Sequence, residues 1–280
     1  MARVVYGYRD DGAQTMLSRW KPRRVFCTSQ PDHSDEPGNL YVVKFLQNQA
    51  GAAALISELI CTSLYTLAGI RTLDSAIVHV SQAFADSYLT KVEIPYQILM
   101  GDHFGTVHRS DVETAQTLTY DQLAAPSEIL RLWVFDTLVN NVDRDIYGNV
   151  LLSLTGANTQ QFSVIASDQS DCFCGAGVFC SEEFIRTMRR RGQARSVSFL
   201  PTVIFNSGGA TAIRTEIANA RDSLEHIPDI LREVPTRWWD ISRIAPNDIQ
   251  DVLEFRARRL EAILNPDAWE DIDVRGAKLL

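Results

Sequence analysis

The sequence predicts an α+β fold in which a small sheet-rich half is followed by a larger helical half. Two observations support this prediction. The first hundred residues contain several short β-branched and aromatic runs around one long apolar helix, whereas residues 181–264 have a mostly helical pattern. A glycine-containing connector near residue 100 separates the two halves. A chain of 280 residues is long enough to bury a large core without disulfides.

The first half contains short runs that are typical of strands. These runs lie at residues 3–8, 24–28, 40–46, 75–80 and 87–94. A turn-rich segment with two prolines and a glycine separates the second run from the third. We therefore expect the first half to form a sheet.

The longest apolar stretch, residues 50–70, contains a single charged residue, Glu58. Its length would suit a bilayer crossing. A carboxylate near its middle would cost about 2.5–3.5 kcal/mol in a membrane, and no aromatic belts flank the stretch. We therefore expect a buried helix that ends at Gly69, and no membrane span.

The second half begins with a strong helical pattern at residues 127–141, directly after Pro126. A polar loop follows, and then a hairpin with strands at 150–154 and 162–168. Asp136 lies among the apolar residues of the helix. We expect its carboxylate to accept hydrogen bonds from backbone N–H groups of the following loop, because a buried carboxylate needs partners. The alternative is that Asp136 lies on an outward-facing turn of the helix.

The composition, with 45% hydrophobic and 22% charged residues, is that of a globular protein. A net charge of −8 argues against a general nucleic-acid binder, which needs a cationic surface. The cysteine count is odd, at five, and the N-terminus lacks an apolar signal core. We therefore expect free thiols and a cytoplasmic location.

One basic cluster stands out in this acidic chain. Its members are Arg186, Arg189, Arg190, Arg191 and Arg195. A solvated helix face explains such a cluster. The alternative is an anchor for an acidic or phosphorylated substrate segment, since arginine binds such groups through two hydrogen bonds.

Lys44 is unusual because it shares one strand face with the aliphatic residues Leu40, Val42 and Leu46. A lysine on a buried face needs a counter-charge or a ligand. Glu58, the lone carboxylate of the next helix, can supply that charge. The alternative is a solvated strand face with Lys44 at the surface.

Polar side chains also gather after the helix of the second half. Asp143 and Asn149 lie in the loop, and Asp168 follows the hairpin. Hard oxygen ligands of this kind suit Mg²⁺, which usually binds together with phosphates. The alternative is a polar turn in which these residues have only local roles. A strand lysine, a helical glutamate, a loop Asp and Asn and a final Asp occur here in the order of kinase-type phosphoryl transfer.

The segments YVVKFLQN, ISELICTSLYTLAGI, FDTLVNNVDRDIYGNVLL and VIASDQSDCF resemble the HipA-like kinase family. The resemblance covers about residues 35–175. It implies the protein-kinase-like two-lobed fold that the family shares with phosphoinositide kinases. The small sheet-rich N-lobe would comprise residues 1–98, the hinge or connector residues 99–108, and the larger helical C-lobe residues 109–280.

The resemblance also implies roles for the unusual polar residues. Lys44 would contact the α- and β-phosphates of ATP and pair with Glu58. Asp143 would be the catalytic aspartate that orients or deprotonates the acceptor hydroxyl. Asn149 and Asp168 would hold Mg²⁺.

The adenine would lie against the backbone near Gln97, Leu99 and Met100, because the following segment HFGTVH resembles the region next to the family's hinge.

The chain departs from the family's pattern in several places. Five residues, and not the usual four, separate Asp143 from Asn149. Gln169 and Ser170 follow Asp168 where the family commonly has His and a small residue. Residues 8–30, which should cover the phosphates, contain a single glycine, Gly12.

Together these observations predict an ATP- and Mg²⁺-dependent serine/threonine protein kinase. A lipid or small-molecule kinase of the same fold is the alternative within enzymes. A further alternative is a pseudokinase, an interaction module that binds nucleotide and has an antitoxin-like protein partner; the longer loop between Asp143 and Asn149 favours it.

Overall fold

The computed structural model contains the expected mixture of a sheet-rich region and a helical region. It describes residues 2–11, 22–31, 38–47, 51–89, 98–115, 118–144, 149–156, 161–173, 181–190, 192, 194 and 198–269. The statements below refer to these residues.

The sheet-rich region is a closed five-stranded barrel. Its strands are β1 (Val4–Asp10), β2 (Arg23–Thr28), β3 (Asn39–Lys44), β4 (Ser75–Val80) and β5 (Gly101–Val107), in the order β1-β2-β3-β5-β4. The β1–β4 pair that closes the barrel is parallel, and the other pairs are antiparallel. Closure leaves no unpaired strand edge.

The structure differs from the predicted pattern around residue 100. Residues 101–107, which were expected to belong to a connector, form β5 and pair with both β3 and β4. Gly105 suggested a turn, but it allows close strand packing, because a Cβ there would lie 2.6 Å from the Cγ2 atom of Val78.

The strand predicted at residues 87–94 is wrong in its first part, which belongs to helix α2 (Gln82–Leu89). Ser81 begins this helix by accepting a hydrogen bond from the N–H of Phe84 at 3.2 Å. Residues 90–97 lie outside the described part of the chain.

The apolar stretch at residues 50–70 forms α1 (Gly51–Leu67), which is buried along most of its length. Gly69 adopts a φ of +72°, and the N–H of Ile70 donates to the carbonyl of Tyr65 at 2.9 Å. This left-handed glycine ends the helix as predicted. No helix in the described ranges is long and apolar enough to cross a membrane.

The helical region also contains a second, three-stranded sheet. That sheet consists of β6 (Glu113–Thr114), β7 (Val150–Leu154) and β8 (Phe162–Ala166). The helices are α3 (Ser127–Val139), α4 (Ser181–Arg190), α5 (Leu200–Asn206), α6 (Gly209–Ser223), α7 (Ile227–Glu233), α8 (Thr236–Ser242) and α9 (Pro246–Leu264). The hairpin of β7 and β8 confirms the predicted strands after α3.

Contacts from α8 join the helical region to the barrel. The indole N–H of the buried Trp238 donates to the carbonyl of Asp102 at 2.9 Å. Arg237 donates to the carbonyl of Met100 at 3.1 Å. Because both carbonyls lie at the start of β5, the barrel is held at this end.

The fully buried Arg256 of α9 stabilises the ends of two other helices. Its guanidinium donates to the carbonyls of Leu138 and Met188, each at 2.8 Å, and also to that of Thr137. Carbonyls in the last turn of a helix lack partners within the helix and carry partial negative charge. Arg256 satisfies such carbonyls at the C-terminal ends of α3 and α4.

We predict that Arg256→Met lowers the free energy of unfolding by about 3 kcal/mol or more. Each buried carbonyl left without a partner costs about 1–3 kcal/mol. Denaturant unfolding monitored by circular dichroism would measure the change. Arg258→Met on the same helix is the matched control, because Arg258 is exposed and forms only a 3.7 Å pair with Glu254. The control should change stability by less than about 0.5 kcal/mol. Equal effects of the two substitutions would contradict the prediction.

Candidate active site

A cleft of about 650 Å³ lies where β3, α1, the end of β5 and the hairpin of β7 and β8 meet. Most of the residues to which the sequence assigned a chemical role line this cleft: Lys44, Glu58, Asp143, Asn149 and Asp168. They come from widely separated parts of the chain, and the fold brings them to one place.

Lys44 is the last residue of β3, and it lies 9% exposed at the centre of this group. Its ammonium donates hydrogen bonds to Glu58 Oε1 and, at 2.6 Å, to Asp168 Oδ1. Ser170 Oγ lies 3.4 Å away. The structure thus gives Lys44 two carboxylate partners, and the alternative of a solvated strand face does not hold.

These charges shift one another's pKa values. Burial opposes the charged form of Lys44, but the carboxylates of Asp168 and Glu58 outweigh it and raise the pKa of Lys44. Burial also opposes ionisation of Asp168, yet Lys44 holds the pKa of Asp168 below its ordinary value. Burial raises the pKa of Glu58, and Lys44 offsets only part of this effect. Asp168 is therefore the more readily ionised of the two carboxylic acids.

Helix α1 places Glu58 and is itself anchored to the segment after β8. Thr62 Oγ1 donates to Gln169 Oε1 at 3.3 Å, and Ser57 Oγ donates to the carbonyl of Cys172 at 3.3 Å. The backbone N–H of Gln169 also hydrogen bonds to Glu58. The helix and the loop that carries Asp168 are therefore held together by several polar contacts.

Asp168 follows β8 with a φ of +54°, a left-handed conformation that Asp tolerates better than most residues. Ser170 holds its side chain, since both the N–H and the hydroxyl of Ser170 donate to Asp168 Oδ1. The local backbone therefore turns immediately after the strand, and the carboxylate lies in the cleft.

The two ends of the longer loop meet despite the extra residue. Asn149 Nδ2 donates to the carbonyl of Asp143 at 2.5 Å and to its Oδ2 at 3.2 Å. The N–H of Asp143 donates to Asn141 Oδ1 at 3.1 Å. Residues 145–148 lie outside the described part of the chain.

The side-chain oxygens of Asn149 and Asp168 fit a magnesium site in which phosphates supply further ligands. Asn149 uses its amide nitrogen for Asp143, which leaves its amide oxygen for a cation, and Asp168 supplies a carboxylate. Both are hard oxygen ligands. In the described ranges, no group of three or more His, Cys, Asp or Glu residues forms a cluster that could hold a metal alone.

Asp136 stabilises the loop in a different way from the one predicted. Its carboxylate accepts hydrogen bonds from the side chains of Arg144, Asn141 and Tyr65, and not from backbone N–H groups. The carbonyl of Asp136 instead accepts the N–H of Asn141 at 2.8 Å. A buried carboxylate gains more from a guanidinium, because the charges compensate each other as well as the hydrogen bonds.

Arg144 is a site residue to which sequence reasoning gave no role. Its buried guanidinium donates to both oxygens of Asp136, at 2.9 and 3.0 Å. The signal was present in the sequence, because the isolated charge of Asp136 requires a buried cation and Arg144 is the nearest arginine after it.

The structure does not bring Leu99 and Met100, two of the three predicted adenine contacts, to the cleft. Leu99 and Met100 precede β5, are 37% and 54% exposed, and do not line the cavity. Gln97 lies outside the described residues. Leu99 and Met100 precede the first residue of β5, whereas the chain leaves the barrel after Val107, at the opposite end of that strand.

The cleft wall near that opposite end is formed by residues that sequence reasoning missed. Thr106, Val107, His108, Arg109 and Val112 line it there. Apolar side chains of β3, β5 and β7 complete the wall: Val42, Phe104 and Leu151. Apolar side chains grouped beside the end of a strand suit a planar base.

Several other predicted features have definite positions or lie outside the described residues. Cys27, Cys61 and Cys172 are buried free thiols, as expected. Cys174 and Cys180 lie outside the described residues, as does Gly12 of the expected phosphate-covering segment.

Comparisons with known proteins agree with this geometry. The chain matches the family model for HipA-like kinases over residues 31–173, about half of its length. The chain resembles the crystal structure of the Helicobacter pylori proinflammatory kinase CtkA, with 9% identity, coverage of 92% of each chain and a TM-score of 0.52. At this identity the likeness is one of fold. No curated protein gives a significant match. The matched segment contains all the residues that the sequence predicted to bind phosphate or metal. Because the family model covers about half of the chain, the chain belongs to the HipA-like kinase family.

Proposed function

We propose that this kinase transfers the γ-phosphoryl group of ATP to a serine or threonine hydroxyl of a protein, with Mg²⁺ as cofactor. The observation that carries the proposal is the convergence of Lys44, Glu58 and Asp168 with the bonded pair of Asp143 and Asn149 on one cleft. Family membership supports it. We further propose that the barrel and the helical region act as the two lobes of a kinase.

Lys44 is the cation that binds the phosphates. In the structure it contacts Asp168 at 2.6 Å, so phosphate oxygens would take the place of that carboxylate on the ammonium. Asp168 would then be free to hold a divalent cation together with Asn149. A bound Mg²⁺ neutralises phosphate charge and stabilises the charge that develops on the leaving oxygens.

Asp143 is suited to receive the acceptor hydroxyl. It is exposed at the cleft, and its carboxylate is held by Asn149 at 3.2 Å. A carboxylate fixed in this way orients the hydroxyl for in-line attack and accepts its proton. Positioning and electrostatics account for most of the catalysis in such a site.

We place the adenine against the segment that leaves β5, at residues 107–112, and not at residues 97–100. This segment lines the cleft, whereas Leu99 and Met100 are exposed elsewhere. By the same argument, the hinge between the proposed lobes lies after Val107.

The pseudokinase alternative rests on the extra residue between Asp143 and Asn149. The contact between the side chain of Asn149 and Asp143 supports an intact site despite that residue. A binding module with an antitoxin-like partner would need no such contact. Transfer to a lipid or small alcohol would use the same cleft, and the choice of acceptor in the assays below separates it from the protein kinase.

We predict that ATP alone raises the melting temperature of the protein and that Mg²⁺ raises it further. A ligand at a hundredfold excess over its Kd stabilises the native state by about 2.7 kcal/mol. Lys44→Met should abolish both effects, because the phosphates lose their cation. Asp168→Asn should retain the ATP effect and lose the added effect of Mg²⁺. A magnesium effect that survives in Asp168→Asn would contradict the assigned metal site.

We predict that Asp143→Asn lowers phosphoryl transfer by about a thousandfold while ATP–Mg²⁺ binding stays within threefold of wild type. Asparagine retains the size of the side chain but cannot accept the proton. Radiolabelled ATP with protein, phosphoinositide and small-alcohol acceptors would measure transfer. Binding without transfer to any acceptor in the wild type would favour the pseudokinase, and transfer only to a lipid or small alcohol would favour the second kinase reading.

The surface of α4 supports a protein acceptor. Arg186, Arg189 and Arg190 share one exposed face, and none of them forms an ion pair within the described ranges. The guanidinium of Arg189 lies 5.3 Å from the ring centroid of Phe255 in α9, and that of Arg259 lies 5.4 Å from the same ring. Arg191 and Arg195 of the predicted cluster lie outside the described residues. This cationic face fits an acidic or phosphorylated segment of a substrate.

We predict that Arg186→Glu with Arg190→Glu raises the KM for an acidic peptide substrate by about tenfold and leaves kcat unchanged. Within the described ranges, neither side chain contacts an aromatic ring, so the change is one of charge. Steady-state kinetics at varied ionic strength would measure it. Arg190→Glu alone should have a smaller effect, and Arg232→Glu on α7 is its matched control with no effect on KM. An unchanged KM in the double variant would leave the arginines as a solvated helix face.

A further inference from the structure

Arg144 holds together the two segments that carry the proposed metal ligands. The side chain is 7% exposed, so its charge is buried. Its Nη1 atom donates to the carbonyl of Asn149 at 2.5 Å and to the carbonyl of Ser167 at 2.8 Å. Ser167 directly precedes Asp168. One nitrogen therefore contacts the backbone of one proposed ligand and the residue next to the other.

The backbone reinforces this contact. The N–H of Ser167 donates to the same carbonyl of Asn149 at 3.1 Å. The spacing between the two ligand-bearing segments is thus set by hydrogen bonds on one oxygen, from Arg144 and from Ser167.

The other side of the guanidinium is fixed from α3. Asp136 accepts from Nε at 2.9 Å and from Nη2 at 3.0 Å, which is a bidentate pair. Asp136 is held in turn by Tyr65 and by Asn141. The guanidinium is planar, so fixing one edge on Asp136 also directs the opposite edge toward the two carbonyls.

Arg144 also connects the two ends of the longer loop between Asp143 and Asn149. It is the first residue after Asp143, and the carbonyl that it binds belongs to Asn149, which ends the loop. The side chain therefore joins the beginning of this loop to its end. This bond and the one from the N–H of Ser167 hold the carbonyl of Asn149 at the end of the loop.

We propose that Arg144 is a positioning residue for the metal site: it sets the position of Asn149 relative to Asp168 and lets the longer loop hold the cation. The proposal rests on the proposed function, because it requires that Asn149 and Asp168 bind Mg²⁺ with ATP. Arg144 itself contacts neither phosphate nor metal in this scheme.

The experiment is a magnesium titration of the thermal shift at saturating ATP, with Arg144→Met and Arg144→Lys. We expect the Mg²⁺ concentration at half-maximal shift to rise by about 10-fold to 100-fold in Arg144→Met, the range for lost partners of metal ligands. Arg144→Lys should lie between that variant and wild type, because an ammonium cannot bind Asp136 and both carbonyls with the same geometry. The shift with ATP alone should remain within threefold in apparent affinity, since Lys44 is untouched.

Arg131→Met is the matched control, because Arg131 also pairs with a buried carboxylate, that of Glu216, and donates to a backbone carbonyl, that of Gly69. It should lower stability without moving the magnesium half-point. A half-point in Arg144→Met and Arg144→Lys that matches wild type would overturn the inference while leaving the proposed function intact. If Arg144→Met does not fold, Arg144→Lys decides the question in the same way. A wild-type protein that shows no magnesium effect at all would overturn the proposed function, and this inference with it.

Discussion

The buried ammonium of Lys44 is the interaction on which the architecture of the cleft depends. It contacts Glu58 of α1 and Asp168 after β8, so one charge joins the barrel, the long helix and the hairpin. Each of these groups would be costly to bury alone, and removal of one partner of a buried pair typically costs about 3–5 kcal/mol. The three elements therefore satisfy their charges only when they assemble in this arrangement.

Hydrogen bonds from α1 restrict any movement of this helix that would separate Glu58 from Lys44. Ser57 and Thr62 hydrogen bond to the segment after β8, and Tyr65 hydrogen bonds to Asp136 of α3. A rotation of the helix that withdrew Glu58 would break these bonds as well as the ion pair. In this chain the pair is therefore a built-in part of the fold, and its formation is coupled to the packing of α1 on the rest of the protein.

The sequence was most informative where a charge stood in an apolar context. Lys44 and Glu58 could be paired on that ground, and the structure pairs them. The isolated charge of Asp136 likewise predicts a buried cation, which is Arg144. We had instead predicted that Asp136 binds backbone N–H groups of the loop. The sequence did not show where the chain leaves the barrel. The glycines of β5 suggest a turn, and only the close contact of Gly105 with Val78 explains a glycine in a strand there. Pairing between strands distant in sequence decides such cases, and local pattern does not.

The end of α3 fixes the start of the proposed catalytic loop. Arg256 satisfies the carbonyls of Thr137 and Leu138 from one side, while Asp136 organises Arg144 and Asn141 on the other. The loop thus starts from a fixed helix end and returns to a carbonyl held by Arg144. Because α3 and α9 hold one end of the loop and Arg144, which is bonded to Asp136, holds the other, both ends are fixed relative to the cleft.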